Sequence, residues 1–314
     1  MSSRIIQIPI PNPYFEGSSN TYAVEIGEGK LLLIDTGIGT DDAFAHFRRD
    51  LESHGYVLKD ISVVFLTHKH SDHFGMAHKI REISGARVYV HEDDWNDVAH
   101  YTERRDEVAE LYRKTMLFWG ISPEAVQMFS VMRQNFDALA HSVPAEKLCD
   151  GQKLKIGNSQ FAVIHTPGHT QGSVCFLCDE KIFTGDHLLP NYTPNIGATD
   201  ITVGKMLSKF LNSSEKIRPY SELEALPGHG KSMKNFASRI DTIVQHHHER
   251  QEKILRILSD RKPHTIVEIA RALFGTMREH HLLLGCGEVH AHLEMLQEKG
   301  CVELREENRF VRVD

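Results

Sequence analysis

The sequence predicts an α+β fold, and three features of its 314 residues predict it. Residues 4–90, and again about 161–226, carry short apolar, β-branched runs separated by turn residues, the pattern of strands. Between them, from about Asp93 to Ser142, large apolar groups recur at helical spacings. Past residue 240 the pattern turns helical again and closes on a hairpin.

In the first region Arg4 to Ile10 and Asn20 to Ile26 read as strands leading to a third at Lys30 to Asp35. Gly37-Ile38-Gly39-Thr40 turns the chain, and Asp41 to His54 reads as an amphipathic helix with Ala43, Phe44, Phe47 and Leu51 on one face. Ile61-Ser62-Val63-Val64-Phe65-Leu66 is a continuous apolar run, the signature of a strand buried on both faces. Gly75 to Ser84 then predicts a short helix and Ala86 to His91 another strand. The second region repeats the theme with strands at Phe161 to His165, Gly172 to Cys178, Lys181 to Phe183 and Leu223 to Leu226.

The stretch between the two regions holds Trp95, Tyr101, Tyr112, Met116, Phe118, Trp119, Met128, Phe129, Met132 and Phe136. Gly120 breaks it, and Ser122-Pro123 supplies an N-cap and first helical residue. Met and aromatic side chains on an added helical segment make an adaptable apolar wall, so part of this insertion is expected to form a lid that selects a substrate with an apolar portion.

In the tail, Asp241 to Leu258 predicts a long helix, Pro263 breaks the chain, and Thr265 with Glu268 forms a capping box opening a helix through Phe274. A further helix is expected from about Glu288 to Lys299, stopped by Gly300, and a hairpin from Val302 to Leu304 and Arg309 to Val313. Three helices and a hairpin resemble a winged helix. His246-His247-His248 falls inside the first of these helices with neighbours facing different ways, and reads as helix surface, not a metal site.

Length and 40% hydrophobic content support a full core in one large or two unequal domains, expected at 1–240, with the insertion at about 93–142, and at 241–314. A net charge of -7 argues against a polyanion as partner. No run of about 18 apolar residues occurs. Met1 to Tyr14 has one Arg, three prolines and no apolar core of a signal peptide, so a cytoplasmic protein without a membrane segment is expected. The five cysteines are odd in number and scattered; Cys175 and Cys178 lie three apart on a strand and so point to opposite faces.

The chemistry concentrates in Thr67-His68-Lys69-His70-Ser71-Asp72-His73, which follows directly on the apolar strand ending at Leu66. Three imidazoles and a carboxylate in so short a loop are metal-ligand chemistry that a structural segment rarely needs, and strand ends of a buried sheet are where sites form. Imidazole and carboxylate without thiolate suit zinc and tolerate manganese or iron.

The pattern His-x-His-x-Asp-His resembles the signature of the metallo-β-lactamase superfamily without a mismatch. Four further features stand in the expected order: Leu31 to Gly37 with its Asp35-x-Gly37, then Thr166-Pro167-Gly168-His169-Thr170, Phe183-Thr184-Gly185-Asp186 and Leu226-Pro227-Gly228-His229-Gly230. The similarity covers residues of about 5 to 235. It implies an αββα metallo-β-lactamase sandwich, here with a helical insertion and a small C-terminal winged-helix-like domain, an appendage found on some relatives. The resemblance places His68, His70 and His169 on one metal ion and Asp72, His73 and His229 on a second, with Asp186 bridging them. Two divalent ions are implied, foremost Zn2+, with Mn2+ or Fe as alternatives. Held between them, a shared water becomes a hydroxide nucleophile, and Asp72 orients it and takes its proton. Asp35 is expected to orient a ligand or its loop. His187, directly after Asp186, and Asn191, Tyr192 and Asn195 on the next loop are candidate substrate contacts.

The implied activity is hydrolysis of a small-molecule ester, thioester or lactone, as in the glyoxalase II-like branch. His73, and Asp where the classical β-lactamases carry Cys at position 186, separate the chain from those enzymes. His70 separates it from the flavodiiron oxidoreductases, which carry Glu there. The alternatives are a phosphodiesterase or endoribonuclease, since a winged-helix-bearing relative acts on single-stranded RNA, and a mononuclear iron sulfur dioxygenase with the same heptad. Charge argues against nucleic acid: residues 241–314 hold 11 basic against 13 acidic residues, and the helix that would enter a groove carries Glu288, Glu294 and Glu298 against Lys299. Packing or homodimerisation is the expected role of the tail.

Overall fold

The computed structural model describes residues 3–14, 17–198, 200–201, 203–277 and 279–314. Its first half runs β1 (Ile5–Ile10), β2 (Ser19–Gly27), β3 (Lys30–Ile34), α1 (Asp41–Ser53), β4 (Ile61–Phe65), α2 (Ser71–Phe74), α3 (Ala77–Ser84), β5 (Arg87–His91), α4 (Glu92–Ala99), α5 (Arg105–Phe118), α6 (Pro123–Phe136) and β6 (Ala145–Leu148). The strands form one sheet in the order β1-β2-β3-β4-β5-β6, antiparallel up to β3 and parallel from β3 to β6. The second half runs β7 (Lys153–Ile156), β8 (Ser159–His165), β9 (Val174–Cys178), β10 (Lys181–Gly185), α7 (Met206–Ile217) and β11 (Glu224–Pro227), a sheet in the order β11-β10-β9-β8-β7. The tail adds α8 (Ala237–Ile257), α9 (Ile266–Phe274), α10 (Glu279–Glu298) and the hairpin β12 (Val302–Arg305) with β13 (Arg309–Arg312).

Period-two side-chain alternation gives each sheet an apolar inner face, and the two faces close on each other. Tyr22, Val24, Leu32, Ile34, Val63 and Phe65 of the first sheet meet Phe161, Val163, Phe176, Cys178, Phe183 and Leu226 of the second. Phe65 stacks on Phe176 with ring centroids 5.0 Å apart and meets Phe161 edge-on at 5.3 Å. Each such buried side chain contributes roughly 1.5–3 kcal/mol. Cys178 points into this layer while Cys175 points outward with Ile164 and Ile182, the opposite-face arrangement expected of the pair. Outside the first sheet α1 buries Ala43, Phe47 and Leu51, with Phe44 half-buried; Thr40 caps it through its side chain. Outside the second lie α7 and α8.

The insertion and the tail share one core. Met116, Trp119, Ile121, Val126 and Phe129 pack with Ile254, Leu258, Ile266, Ile269, Leu283 and Leu293. The Val267 N–H donates to the Trp119 carbonyl at 2.9 Å. Thr265 and Glu268 form the expected capping box, and residue 240, where a boundary was expected, falls inside α8.

Three expectations for the tail are corrected. His247 is fully buried, not on the helix surface, because that side of α8 faces α10; only His248 of the triple is exposed. The helix expected at Glu288 begins at Glu279, nine residues earlier. Glu288, expected on an exposed acidic face, is 4% exposed. The short strands β6 and β7 and the helix α7 were not anticipated.

Candidate metal centre

Five chain segments bring the predicted residues to one edge of the sandwich. Asp35 follows β3, the loop Thr67–His70 and α2 follow β4, His169 lies past β8, Asp186 directly follows β10 and His229 follows β11. The parallel pairs β3/β4 and β10/β11 make these exits point the same way. Asp35 is held in the left-handed region at φ 58°, a conformation short polar side chains tolerate. Its carboxylate accepts the Thr67 N–H and the Thr67 hydroxyl, both at 2.7 Å, and lies 2.9 Å from His73 Nδ1. Gly228 is required where it stands: a Cβ there would lie 2.2 Å from Asp186 Oδ1.

The imidazoles converge through their nitrogens. His68 Nε2 lies 3.1 Å from His70 Nδ1, His169 Nε2 lies 3.0 Å from the same atom, and His73 Nε2 lies 3.3 Å from His229 Nε2. The far nitrogens determine the protons. His169 Nδ1 faces the Asn195 carbonyl at 3.0 Å, His229 Nδ1 the Ser18 carbonyl at 3.0 Å, and His73 Nδ1 the Asp35 carboxylate, so each must carry hydrogen and donate it. The Thr67 hydroxyl gives its hydrogen to Asp35 and therefore accepts from His68 Nδ1, 2.9 Å away. A neutral ring at His68, His73, His169 or His229 thus turns its Nε2 lone pair inward. One hydrogen on His70 Nδ1 can satisfy only one of its two neighbours. Two ring nitrogens bound at 2.0–2.1 Å to one tetrahedral ion lie about 3.3 Å apart, so the spacing fits cations at the meeting points.

Asp186 stands between the groups. Its Oδ1 is 3.4 Å from His73 Nε2 and its Oδ2 is 3.5 Å from His229 Nε2 and 3.6 Å from His169 Nε2. Asp72 Oδ2 is 3.5 Å from His229 Nε2 and accepts from Asn12 Nδ2 at 3.4 Å. His68-His70-His169, His68-His73-Asp186 and Asp72-His73-His229 are each grouped closely enough to hold a metal ion. Burial, then the neighbouring imidazoles, pushes His68 and His70 well below the ordinary histidine value. At His73 and His229 burial acts in the same direction, but Asp186 above all overcomes it; His73 is raised well above the ordinary value and His229 to about 10. Burial opposes ionisation of Asp72, yet His73 and His229 bring it down to about 2. The site therefore favours positive charge at its centre and keeps both carboxylates ionised.

Two other groupings are close enough for a metal ion, and their geometry accounts for them otherwise. His91 and His165 stack at 3.9 Å and 13°, so their in-plane lone pairs run parallel. His292 Nδ1 donates to the Glu288 carbonyl at 2.7 Å, which leaves its Nε2 to accept from His247 Nδ1 at 3.3 Å, and Arg250 neutralises Glu288.

His70, Asp72, His169, Asp186 and His229 open onto a cavity of about 930 Å3. Tyr101, Val108, Leu111, Tyr112, Phe129 and Met132 of the insertion form one wall, with Arg104, Arg105 and Arg133 among them, and Leu283 and Leu284 of α10 another. The candidate substrate contacts are placed differently. His187 is buried against Phe210 with centroids 4.9 Å apart, does not line the cavity, and burial brings it down to about 3. Asn191 and Tyr192 line a neighbouring cleft of about 970 Å3, while Asn195 borders both spaces.

Residues that the motif did not reveal hold the ligand loops together. Asp94 of α4 accepts from the Lys69 N–H at 3.0 Å, the Thr170 hydroxyl at 2.7 Å and the Gly172 N–H at 2.8 Å, and so ties the His68–His70 loop to the His169 loop. Lys69, between two histidines, pairs with Asp97 at 2.7 Å and with Asp200, which also accepts the Gln171 N–H. Burial, tempered by Lys69, lifts Asp94 to about 7. In the sequence Asp94 belongs to Glu92-Asp93-Asp94, an ordinary acidic helix start. Only the fold separates it from its neighbours.

The family model described as "Metallo-beta-lactamase superfamily" matches residues 14–267. The chain is 24% identical over 301 residues to the probable metallo-hydrolase YqjP of Bacillus subtilis, covering 93% of this chain and 92% of that one. It is similar to the crystal structure of the metallo-beta-lactamase family protein TTHA1429 from Thermus thermophilus, with a TM-score of 0.86 and 28% identity over 98% of both chains. A beta-lactamase domain protein from Burkholderia ambifaria shares the fold, with a TM-score of 0.84 and 22% identity over 98% of this chain and 92% of that one. With the signature residues gathered at one sheet edge and the family model spanning most of its length, the chain belongs to the metallo-β-lactamase superfamily of metal-dependent hydrolases.

Proposed function

We propose that this protein is a dinuclear metal-dependent hydrolase of a small-molecule ester, thioester or lactone with an apolar acyl portion. The observation that carries this reading is the convergence of the inner nitrogens of His68, His70, His73, His169 and His229 with the Asp72 and Asp186 carboxylates at 3.0 to 3.6 Å from one another, the spacing of nitrogen and oxygen donors around bound cations. His68, His70 and His169 would hold one cation, Asp72, His73 and His229 the other, and Asp186 both; the nitrogen and oxygen donors suit Zn2+, with Mn2+ or Fe as alternatives. When bound, two such cations lower the pKa of a water between them from 15.7 toward about 7 and polarise an acyl oxygen.

The chain's own residues supply the rest. Asp72 opens onto the cavity in ionised form and is placed to take the proton as the new O–C bond forms. Breaking of the C–S or C–O bond would then pass that proton from Asp72 to the departing sulfur or oxygen, giving a carboxylate and a thiol or alcohol, or from a lactone a single hydroxy acid. The wall of Val108, Leu111, Phe129 and Met132 supports an apolar acyl group, and its closure over the site would exclude water.

The test is metal content by elemental analysis on protein purified without added metal, with turnover of a panel of esters, thioesters, lactones and bis-p-nitrophenyl phosphate on the same sample. About two zinc or manganese ions per chain with acyl turnover is the expected result. One iron per chain, or activity confined to the phosphodiester, overturns it in favour of a dioxygenase or a nuclease. Asp186→Ala should lose both turnover and full metal occupancy; an active, fully loaded variant would remove the bridging assignment.

A further inference from the structure

We infer that Glu288, on the tail helix α10, is a positioning residue for the metal centre, fixing the direction and the proton of His169 through the Asn195–Ile196 peptide. The inference rests on the metal-binding reading proposed above.

His169 donates from Nδ1 to the Asn195 carbonyl at 3.0 Å, and that bond leaves Nε2 as the inward lone pair. The carbonyl belongs to a segment, residues 191–198, without helix or strand, so nothing in regular backbone pairing sets its direction. Glu288 sets it. Its Oε2 accepts the Ile196 N–H at 3.3 Å, and this N–H is part of the same peptide unit as the Asn195 carbonyl. A trans peptide is planar, with N–H and C=O on opposite sides, so gripping one end aims the other. Asn195 Nδ2 is tied in addition to Glu288 Oε2 at 3.2 Å and to the Leu284 carbonyl at 3.1 Å.

The helix is built for this approach. At Gly287 a Cβ would fall 2.5 Å from Ala198 Cα, so the residue before the carboxylate must be glycine for the loop to seat. A glycine inside a helix is destabilising relative to alanine. Glu288 itself is 4% exposed and meets Arg250 at 3.1 Å. A buried ion pair is a weak source of stability, because desolvation offsets its attraction. Both costs are intelligible if the carboxylate orients a ligand.

The experiment compares zinc stoichiometry and zinc affinity, the latter by competition with a chromogenic chelator, in the full-length protein and its variants, with thermal midpoints recorded alongside. Wild type should bind two zinc ions. Glu288→Ala should weaken one of them by about 10- to 100-fold, the usual effect of losing a group that orients a ligand, while the other is retained. Leu293→Ala, in the same helix and core but five residues beyond Glu288, should lower the midpoint and leave zinc affinity unchanged. If Glu288→Ala cannot be recovered folded, Asn195→Ala carries the test, because it keeps the carbonyl and removes the side-chain tether; its zinc affinity should fall by at least about threefold. Wild-type affinity in a folded Glu288→Ala or, in its place, in Asn195→Ala overturns the inference. So does a Leu293→Ala that loses zinc as strongly as Glu288→Ala, since positioning would then be ordinary destabilisation. A wild-type protein that binds no zinc, manganese or iron defeats the metal reading itself, a result distinct from these.

Discussion

Asp35 Oδ2 lies 2.9 Å from Nδ1 of His73, and the same carboxylate accepts both the N–H and the hydroxyl of Thr67. One side chain therefore sets the proton of His73 on α2 and anchors the start of the loop carrying His68 and His70. In Asp35→Asn the amide nitrogen must face either the Thr67 N–H, at the Oδ1 position, or the Thr67 hydroxyl and the Nδ1 hydrogen of His73 together, at the Oδ2 position, donor against donor. Turning the His73 proton to Nε2 would relieve this and remove the inward lone pair. We expect metal affinity at the Asp72-His73-His229 site to fall about 10- to 100-fold. Unchanged affinity in a chelator competition would show that His73 is held by packing alone.

Most of the centre was legible because its chemistry is dense in sequence and each ligand follows a run of strand-forming residues. The supports were not. Asp94 and Glu288 look like ordinary helix acids, and their partners lie 25 or more residues away in the chain. Gly285 and Gly287 lie just before the expected start of α10, and close packing with Met277 and Ala198, which no local pattern contains, keeps them in the helix. The Asn212-Ser213-Ser214 run masked α7, although Ser213 and Ser214 are buried and their hydroxyls donate to the Pro167 and Phe210 carbonyls. The burial of His247 depends on where α10 lies, which no local pattern contains.

The cavity wall makes chain-length preference testable. Leu111 of α5 faces the cavity among Val108, Phe129 and Met132. Leu111→Trp should project an indole into that space without touching a ligand. We expect KM for a long-chain acyl ester to rise about tenfold, equivalent to roughly 1.4 kcal/mol of lost binding, with the acetyl ester and metal content unaffected. Equal changes for both esters would place the acyl group elsewhere.

The buried imidazoles between α8 and α10 predict acid sensitivity away from the metals. Burial, then the facing His292, brings His247 down to about 2. Burial likewise brings His292 down to about 3, against the pull of the Glu288 carbonyl. Both values lie below the unfolded histidine value of 6.5, so the unfolded chain gains protons first as pH falls. Their stabilising contribution is complete above 6.5 and declines below it, toward the folded values. One pH unit below 6.5 the loss is roughly 1.4 kcal/mol for each. Glu288, raised by burial, acts in the opposite sense. Metal-free wild type should therefore lose thermal midpoint relative to His247→Leu between about pH 7.5 and about pH 5.5, a comparison in which His73 and His229, raised by Asp186 and acting in the opposite sense, contribute equally to both proteins. An unchanged slope in the variant would assign the sensitivity to other groups.

Removing the tail tests whether it is a separable module. A chain ending before Ala237 would lose α8, α9 and α10, and with them the partners of Met116, Trp119, Ile121 and Phe129. Exposing each of those four side chains costs roughly 1.5–3 kcal/mol, so together they approach the 5–15 kcal/mol of a typical domain. The same cut removes Leu283 and Leu284 from the cavity wall and Glu288 from Asn195. The sandwich keeps its inter-sheet core, to which no described residue of the tail contributes. We therefore expect the truncated protein to retain strand signal in circular dichroism but to bind a hydrophobic dye through the uncovered insertion and to hold less than a full metal complement. A truncated protein that is monomeric, dye-silent and fully loaded would mean that the insertion closes on itself, and that the contacts from α10 to the His169 loop are dispensable.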